Sequence, residues 1–210
     1  MAEMTRDGGG EEPQPHTLRT RRGPVEVLLY EAPDAKAGVL LAGGVGGGFD
    51  SPAHGLYPRL GEELLSHGLS TLRLKYRNPT DLAEAVRDVL AGVNFLAERG
   101  MERVALVGHS FGGAVMIDAG AQSPWVTTVV GLAAQSYGTE AVSELPPRSL
   151  LLIHGLSDTV LPPSCSLSIH ERARGKKDLA LFPGAGHVLE EEAERVFLRV
   201  RDWLLHELRG

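Results

Sequence analysis

The stretch Arg103-Val-Ala-Leu-Val-Gly-His-Ser-Phe-Gly-Gly113 constrains the fold of this 210-residue chain more than any other. Its apolar, β-branched run Val104 to Val107 reads as a short buried strand. Ala114 to Ile117 continues as the start of a helix. Between them lies Gly108-His109-Ser110-Phe111-Gly112, a G-x-S-x-G at a strand-to-helix junction. A turn that sharp puts Ser110 in a strained backbone conformation, with its hydroxyl exposed at the sheet edge. Glycines on either side keep strand and helix from colliding. At this serine and glycine content chance alone supplies roughly 0.2 such matches, so the setting carries the meaning, and the setting fits.

The rest of the chain repeats that alternation. Strands are expected at Val25 to Tyr30, Gly38 to Ala42, Thr71 to Tyr76, Thr127 to Leu132, Leu150 to Ile153 and Asp178 to Phe182, with an edge strand near His16 to Arg22. The alternating apolar and basic residues of Thr71 to Tyr76 predict one more solvated face. Leu82, Val86, Val89, Val93 and Leu96 recur at helical spacing after Pro79, with Thr80 as the expected N-cap. Leu56, Leu60 and Leu64 mark a shorter helix ending near Gly68. A last helix carries Val196, Val200 and Leu204 on one face, with Glu190 to Glu192 as its acidic first turn and a solvated charged side. Strand and helix in alternation imply βαβ units: a mostly parallel central sheet with helices on both faces. In such sheets, sites form at the carboxyl ends of the strands.

Bulk properties narrow the function classes. Residues 1–15, with Gly8 to Gly10 and Pro13-Gln14-Pro15, read as a flexible tail, leaving residues 16–210 as a single domain. A net charge of −6 argues against nucleic acid or an anionic membrane as partner. No apolar run approaches the ~20 residues of a membrane span, and the N-terminus lacks the apolar core of a signal peptide. The single cysteine, Cys165, rules out an intrachain disulfide or a cysteine-based metal cluster, and a cytoplasmic setting is expected. Neither a cofactor nor a metal is implied, and nothing in the sequence specifies an oligomeric state.

Four strand ends carry chemistry. After Leu41 come five glycines in the seven positions 42–48. No Lys-Ser/Thr follows them, and Phe49 and Val45 stand where the dinucleotide fingerprint needs glycine, so neither phosphate-binding loop is present. A flexible turn and a loop offering the Val45 N–H to an oxyanion are both open readings. After Ile153 comes His154-Gly155-Leu156-Ser157-Asp158, where Asp158 is either a turn residue or the partner of an imidazole. After Phe182 comes Pro183-Gly-Ala-Gly-His187. Serine at an elbow, then an acid, then a histidine, each just past its own strand, is the chain order Ser…Asp…His of one hydrolase architecture.

On these residues the sequence resembles the α/β-hydrolases from about Val25 to Leu208. Gly108 to Gly112 matches their nucleophile elbow. His154 to Pro162 resembles the H-G-x-x-D-x-x-V-P acid loop, with Leu161 in the valine place, and Gly186-His187 resembles the G-H loop. Gly43 to Pro52 is similar to the H-G-A-G-G-G-M-D-S-P loop of small lid-less, dienelactone-hydrolase-like members. Two departures stand out: Gly43 replaces their histidine, and the nucleophile is serine where dienelactone hydrolase itself uses cysteine.

The resemblance implies a catalytic Ser110, Asp158 and His187, and an oxyanion hole from the N–H groups of Val45 and Phe111. It further implies hydrolysis of a small-molecule acyl substrate, an ester or thioester, through an acyl-enzyme. An acyltransferase with the same triad and a non-catalytic interaction module are the alternatives. Only Gly138 to Ser149 separates the sixth strand's loop from the next strand, too short for a helical cap, so an uncapped site is expected. Tyr137, Phe49 and Leu161 are candidates to line its pocket. His109 is expected to be buried beside the elbow rather than catalytic, and His154, at a strand end, to be structural.

Overall fold

A computed structural model describes residues 12–209. The expected tail lies outside them up to residue 11, but Gln14 and Pro15 already belong to strand β1, Gln14–Thr20. The chain then runs through β2 (Gly23–Tyr30), β3 (Ala37–Ala42), α1 (Pro52–Leu65), β4 (Ser70–Lys75), α2 (Leu82–Glu98), β5 (Arg103–His109) and α3 (Phe111–Gln122). It continues with β6 (Val126–Leu132), β7 (Ser149–Gly155), α4 (Ser164–Arg172), β8 (Lys177–Phe182) and α5 (Ala193–Leu208). All strands join one eight-stranded sheet in the order β1-β2-β4-β3-β5-β6-β7-β8. The β1–β2 and β2–β4 pairs are antiparallel, and every pair from β4 to β8 is parallel.

Alternation along each central strand divides the core. Leu40, Val104 and Leu106 pack with Val89 and Val93 of α2 and Val115 and Met116 of α3 on one face. Val39, Leu41, Ala105 and Val107 pack with Leu56 and Leu60 of α1 and Val200 and Leu204 of α5 on the other. Burial on both faces explains why β3 and β5 are almost continuously apolar. The sheet reverses its direction of growth at β3, whose neighbours are β4 on one side and β5 on the other. Crevices at such a reversal are where open α/β sheets bind ligands.

Several boundaries differ from the sequence-based expectation. The N-cap of α2 is Asp81, whose side chain accepts from Glu84 N–H at 3.0 Å, because the Thr80 hydroxyl is held by Asn78 Oδ1 at 3.0 Å. Glu190 to Glu192 form a separate 3₁₀ turn ahead of α5. The first residues of α1 are not helical: Ala53, His54 and Gly55 all have positive φ, so the regular helix starts near Leu56 and Pro58 falls in its first turn, where proline is tolerated. Helix α4 was not anticipated; only Ser166 and Ile169 of its nine residues are buried, so it lacks a clear apolar stripe. Between β6 and β7 there is only a 3₁₀ turn at Glu140–Glu144, so no cap covers the sheet's carboxyl end among the described residues. None of the described helices is long and apolar enough to cross a membrane.

Candidate active site

The elbow is built from backbone strain and missing side chains. Ser110 has φ 57° and ψ −118°, a region that non-glycine residues avoid. Its amide donates to Leu132 O at 2.8 Å, and its carbonyl accepts from Gly113 N–H at 3.0 Å and Gln135 N–H at 3.3 Å. These bonds, spread over β6 and α3, hold the unfavourable conformation. A Cβ at Gly108 would lie 2.2 Å from Gly112 O, and one at Gly112 would lie 2.3 Å from Gly43 O. No side chain fits at either position. Ser110 sits at the N-cap of α3, yet its hydroxyl caps nothing.

That hydroxyl meets His187 instead. His187 Nε2 lies 3.1 Å from Ser110 Oγ, and His187 Nδ1 lies 2.8 Å from Asp158 Oδ2. Three residues separated by up to 77 positions thus form one hydrogen-bonded chain, each from the carboxyl end of its own strand. The other carboxylate oxygen, Asp158 Oδ1, accepts the amides of Val160 at 2.8 Å and Leu161 at 2.9 Å. Burial raises the pKa of Asp158, but the bonds from His187, Leu161 and Val160 outweigh it and hold the carboxyl below its ordinary value. Asp158 is therefore a carboxylate at neutral pH, and as an acceptor it fixes the proton of His187 on Nδ1. Nε2 is left free to accept from Ser110.

Two further histidines brace this chain. His109 Nε2 donates to the carbonyl of His187 at 2.9 Å, tying the elbow to the histidine loop. Burial pushes the His109 pKa down to about 4, so the ring is neutral at pH 7. His154 is fully buried. Its Nε2 donates to Leu161 O at 3.0 Å and lies 3.2 Å from Asp158 Oδ2, while Nδ1 accepts from Ser166 Oγ at 2.6 Å. Both neighbours of Nε2 are acceptors, so that nitrogen carries the proton. Burial of His109 beside the elbow was expected from the sequence, but His154's contact with Asp158 was not. His154 is the penultimate residue of β7, and the turn after Gly155 returns Asp158 onto its ring. Glu191 is exposed, as expected, and its Oε2 also accepts Gly186 N–H at 3.0 Å in the loop before His187.

The glycine loop after β3 passes beside the elbow because Ala42 is paired with Gly108 across the sheet. A Cβ at Gly44 would lie 3.3 Å from Ser110 Cβ, which shows how closely the loop approaches. Val45, the next residue, is exposed. The Phe111 amide opens α3, where N–H groups have no intrahelical acceptor. Gly43 is packed against Asp50; a Cβ there would lie 3.2 Å from Asp50 Cβ. Bracing of this region falls to Tyr57, whose hydroxyl donates to Ala42 O at 2.9 Å and whose amide donates to Ser51 Oγ at 2.8 Å.

A cavity of about 290 Å³ contains Ser110 and His187, with walls from Gly44 to Gly46, Asp50 to Pro52, His109 and Val188. A larger, open groove of about 700 Å³ adjoins it at Val45 and includes Phe111, Gln135 and Tyr137. Of the three residues expected to line the pocket, Tyr137 lines this groove. Phe49 instead faces a depression beside β1 and β2, and Leu161 serves Asp158 and His154 through its backbone.

No protein-family model matches the chain, and no curated protein sequence matches it. Solved structures do. Dienelactone hydrolase from Anabaena variabilis is 22% identical with a TM-score of 0.82, over 95% of this chain and 100% of that one. Est1E from Butyrivibrio proteoclasticus is 15% identical with a TM-score of 0.80, over 93% and 99%. An α/β serine hydrolase without a lid, from Xanthomonas campestris, is 18% identical with a TM-score of 0.79, over 95% and 97%. With its strand order, its strained serine elbow and a sheet uncapped among the described residues, the chain has the α/β-hydrolase fold, shared with dienelactone hydrolase and with the serine hydrolase without a lid.

Proposed function

We propose that the protein is a serine hydrolase that cleaves a small ester or thioester through an acyl-enzyme on Ser110. The observation that carries this reading is the continuous chain Ser110 Oγ–His187 Nε2 at 3.1 Å and His187 Nδ1–Asp158 Oδ2 at 2.8 Å, ending on a strained, cavity-lining serine. A binding scaffold has no physical need for that alignment. Similar structures named as hydrolases and esterases support the same chemistry, and in one of them ferulic acid is bound to Est1E.

Ser110 Oγ attacks the substrate carbonyl carbon while His187 Nε2 takes the hydroxyl proton. The negative charge that develops on the carbonyl oxygen is received by the N–H groups of Val45 and Phe111; one such donor is worth about 3 kcal/mol. Asp158 stabilises the imidazolium without accepting its proton. The carbonyl–oxygen or carbonyl–sulfur bond then breaks, and His187 returns the proton to the departing alcohol or thiol. Water repeats the sequence on the acyl-enzyme, releasing the acid and free Ser110. His109, neutral and bonded to the His187 carbonyl, holds the base in place through both half-reactions.

Purified wild-type protein should hydrolyse short p-nitrophenyl esters, and Ser110→Ala should lose at least 10³-fold in kcat because triad members act as a unit. Equal turnover by the two proteins would overturn the proposal.

A further inference from the structure

The two cavities meeting at Val45 divide any substrate held on Ser110. The leaving group must receive its proton from His187 Nε2, so it occupies the cavity that His187 lines, and the acyl group extends past Phe111 into the groove. The leaving-group cavity is small, about 290 Å³, and no lysine or arginine lines it. His109 on its wall is neutral. The one carboxylate on that wall belongs to Asp50, folded back over the glycine loop so that a Cβ at Gly46 would meet its Oδ2. Among the described residues Asp50 makes no ion pair or side-chain hydrogen bond. The guanidinium of Arg73 bonds the neighbouring Phe49 carbonyl rather than Asp50. By contrast, Asp81 in the groove is engaged as the cap of α2.

Asp50 is exposed, so water screens it, yet a carboxylate without an ion-pair partner on that wall still favours a cationic group over a neutral one by a modest margin. Because no lysine or arginine lines the cavity and Arg73 is held by the Phe49 carbonyl, we propose that the His187-side cavity is a leaving-group subsite for a compact, positively charged alcohol, such as a quaternary-ammonium or amino alcohol. This rests on the assignment of Ser110 and His187 to catalysis.

The test compares acetylcholine with its uncharged isostere 3,3-dimethylbutyl acetate at low ionic strength, in wild type, Asp50→Asn and Asp50→Lys, with fluorophosphonate labelling of Ser110 in parallel. The wild type should prefer the cationic ester by about fivefold in kcat/KM, the size expected for a partly exposed ion pair. Asp50→Asn should bring the ratio close to one, Asp50→Lys should invert it, and salt should weaken it. Turnover of both esters with no cationic preference, or a preference that survives Asp50→Asn, overturns the subsite and leaves the hydrolase reading standing. Failure to turn over either ester, with Ser110 unlabelled, overturns both.

Discussion

Replacing Gly112 by alanine puts a methyl group 2.3 Å from Gly43 O and 3.0 Å from Ala42 O, both backbone atoms at the end of β3. Non-bonded atoms settle at about 3.5 Å, so the chain at Gly43 must retreat by about 1 Å. Tyr57, bonded to Ala42 O, and the pairing of Ala42 with Gly108 resist that movement. Overpacking of this kind costs about 1–3 kcal/mol, or roughly 2–12 °C in Tm for a chain of this length. The catalytic loss should be larger than the stability loss implies. Val45 lies two residues beyond Gly43, and displacing an oxyanion donor by about 1 Å costs on the order of a hundredfold in kcat. Calorimetry gives Tm, and kcat for p-nitrophenyl acetate is then read well below it. A folded Gly112→Ala protein with kcat within threefold of wild type would refute the claim that the loop after β3 supplies an oxyanion donor.

His154→Ala removes the donor to Leu161 O and the ring beside Asp158 Oδ2, and strands the Ser166 hydroxyl. It should lower Tm and reduce kcat at least tenfold with a changed pH–rate profile, while His154→Gln, which restores an N–H, should recover part of kcat; an unchanged profile in the alanine variant would count against a role in holding Asp158. His109 should also impose a pH dependence on stability. Its folded-state pKa of about 4 lies below the ordinary 6.5, so the unfolded chain binds the proton first as pH falls. The stabilisation is complete above pH 6.5 and is lost down to pH 4, about 3 kcal/mol in all. Urea unfolding at pH 7 and pH 4 should show a loss smaller by that amount in His109→Leu, and equal losses in the two proteins would contradict it.

Much of this was legible in the sequence because the central strands are buried on both faces and announce themselves as short apolar runs. Val104 to Val107 and Leu150 to Ile153 fall within β5 and β7 for that reason. Ser110, Asp158 and His187 were legible because a parallel sheet places its loops at one end, so residues far apart in sequence share an address. What escaped detection depends on which of several equivalent local partners wins. Thr80 and Asp81 are both good caps, and only the Asn78 bond to Thr80 decides between them. Helix α4 carries too few buried residues to show a period. His154 looked like any strand-end histidine, because its link to Asp158 is made by the turn after Gly155 and not by the spacing of strands.

The central claim is that Ser110 is a nucleophile activated by His187. Protein treated with a fluorophosphonate should gain one adduct, located by peptide mass spectrometry on the segment that contains Ser110. Labelling should be abolished by Ser110→Ala and slowed at least a hundredfold by His187→Ala. An adduct elsewhere, or labelling that persists unchanged in Ser110→Ala, would contradict the account.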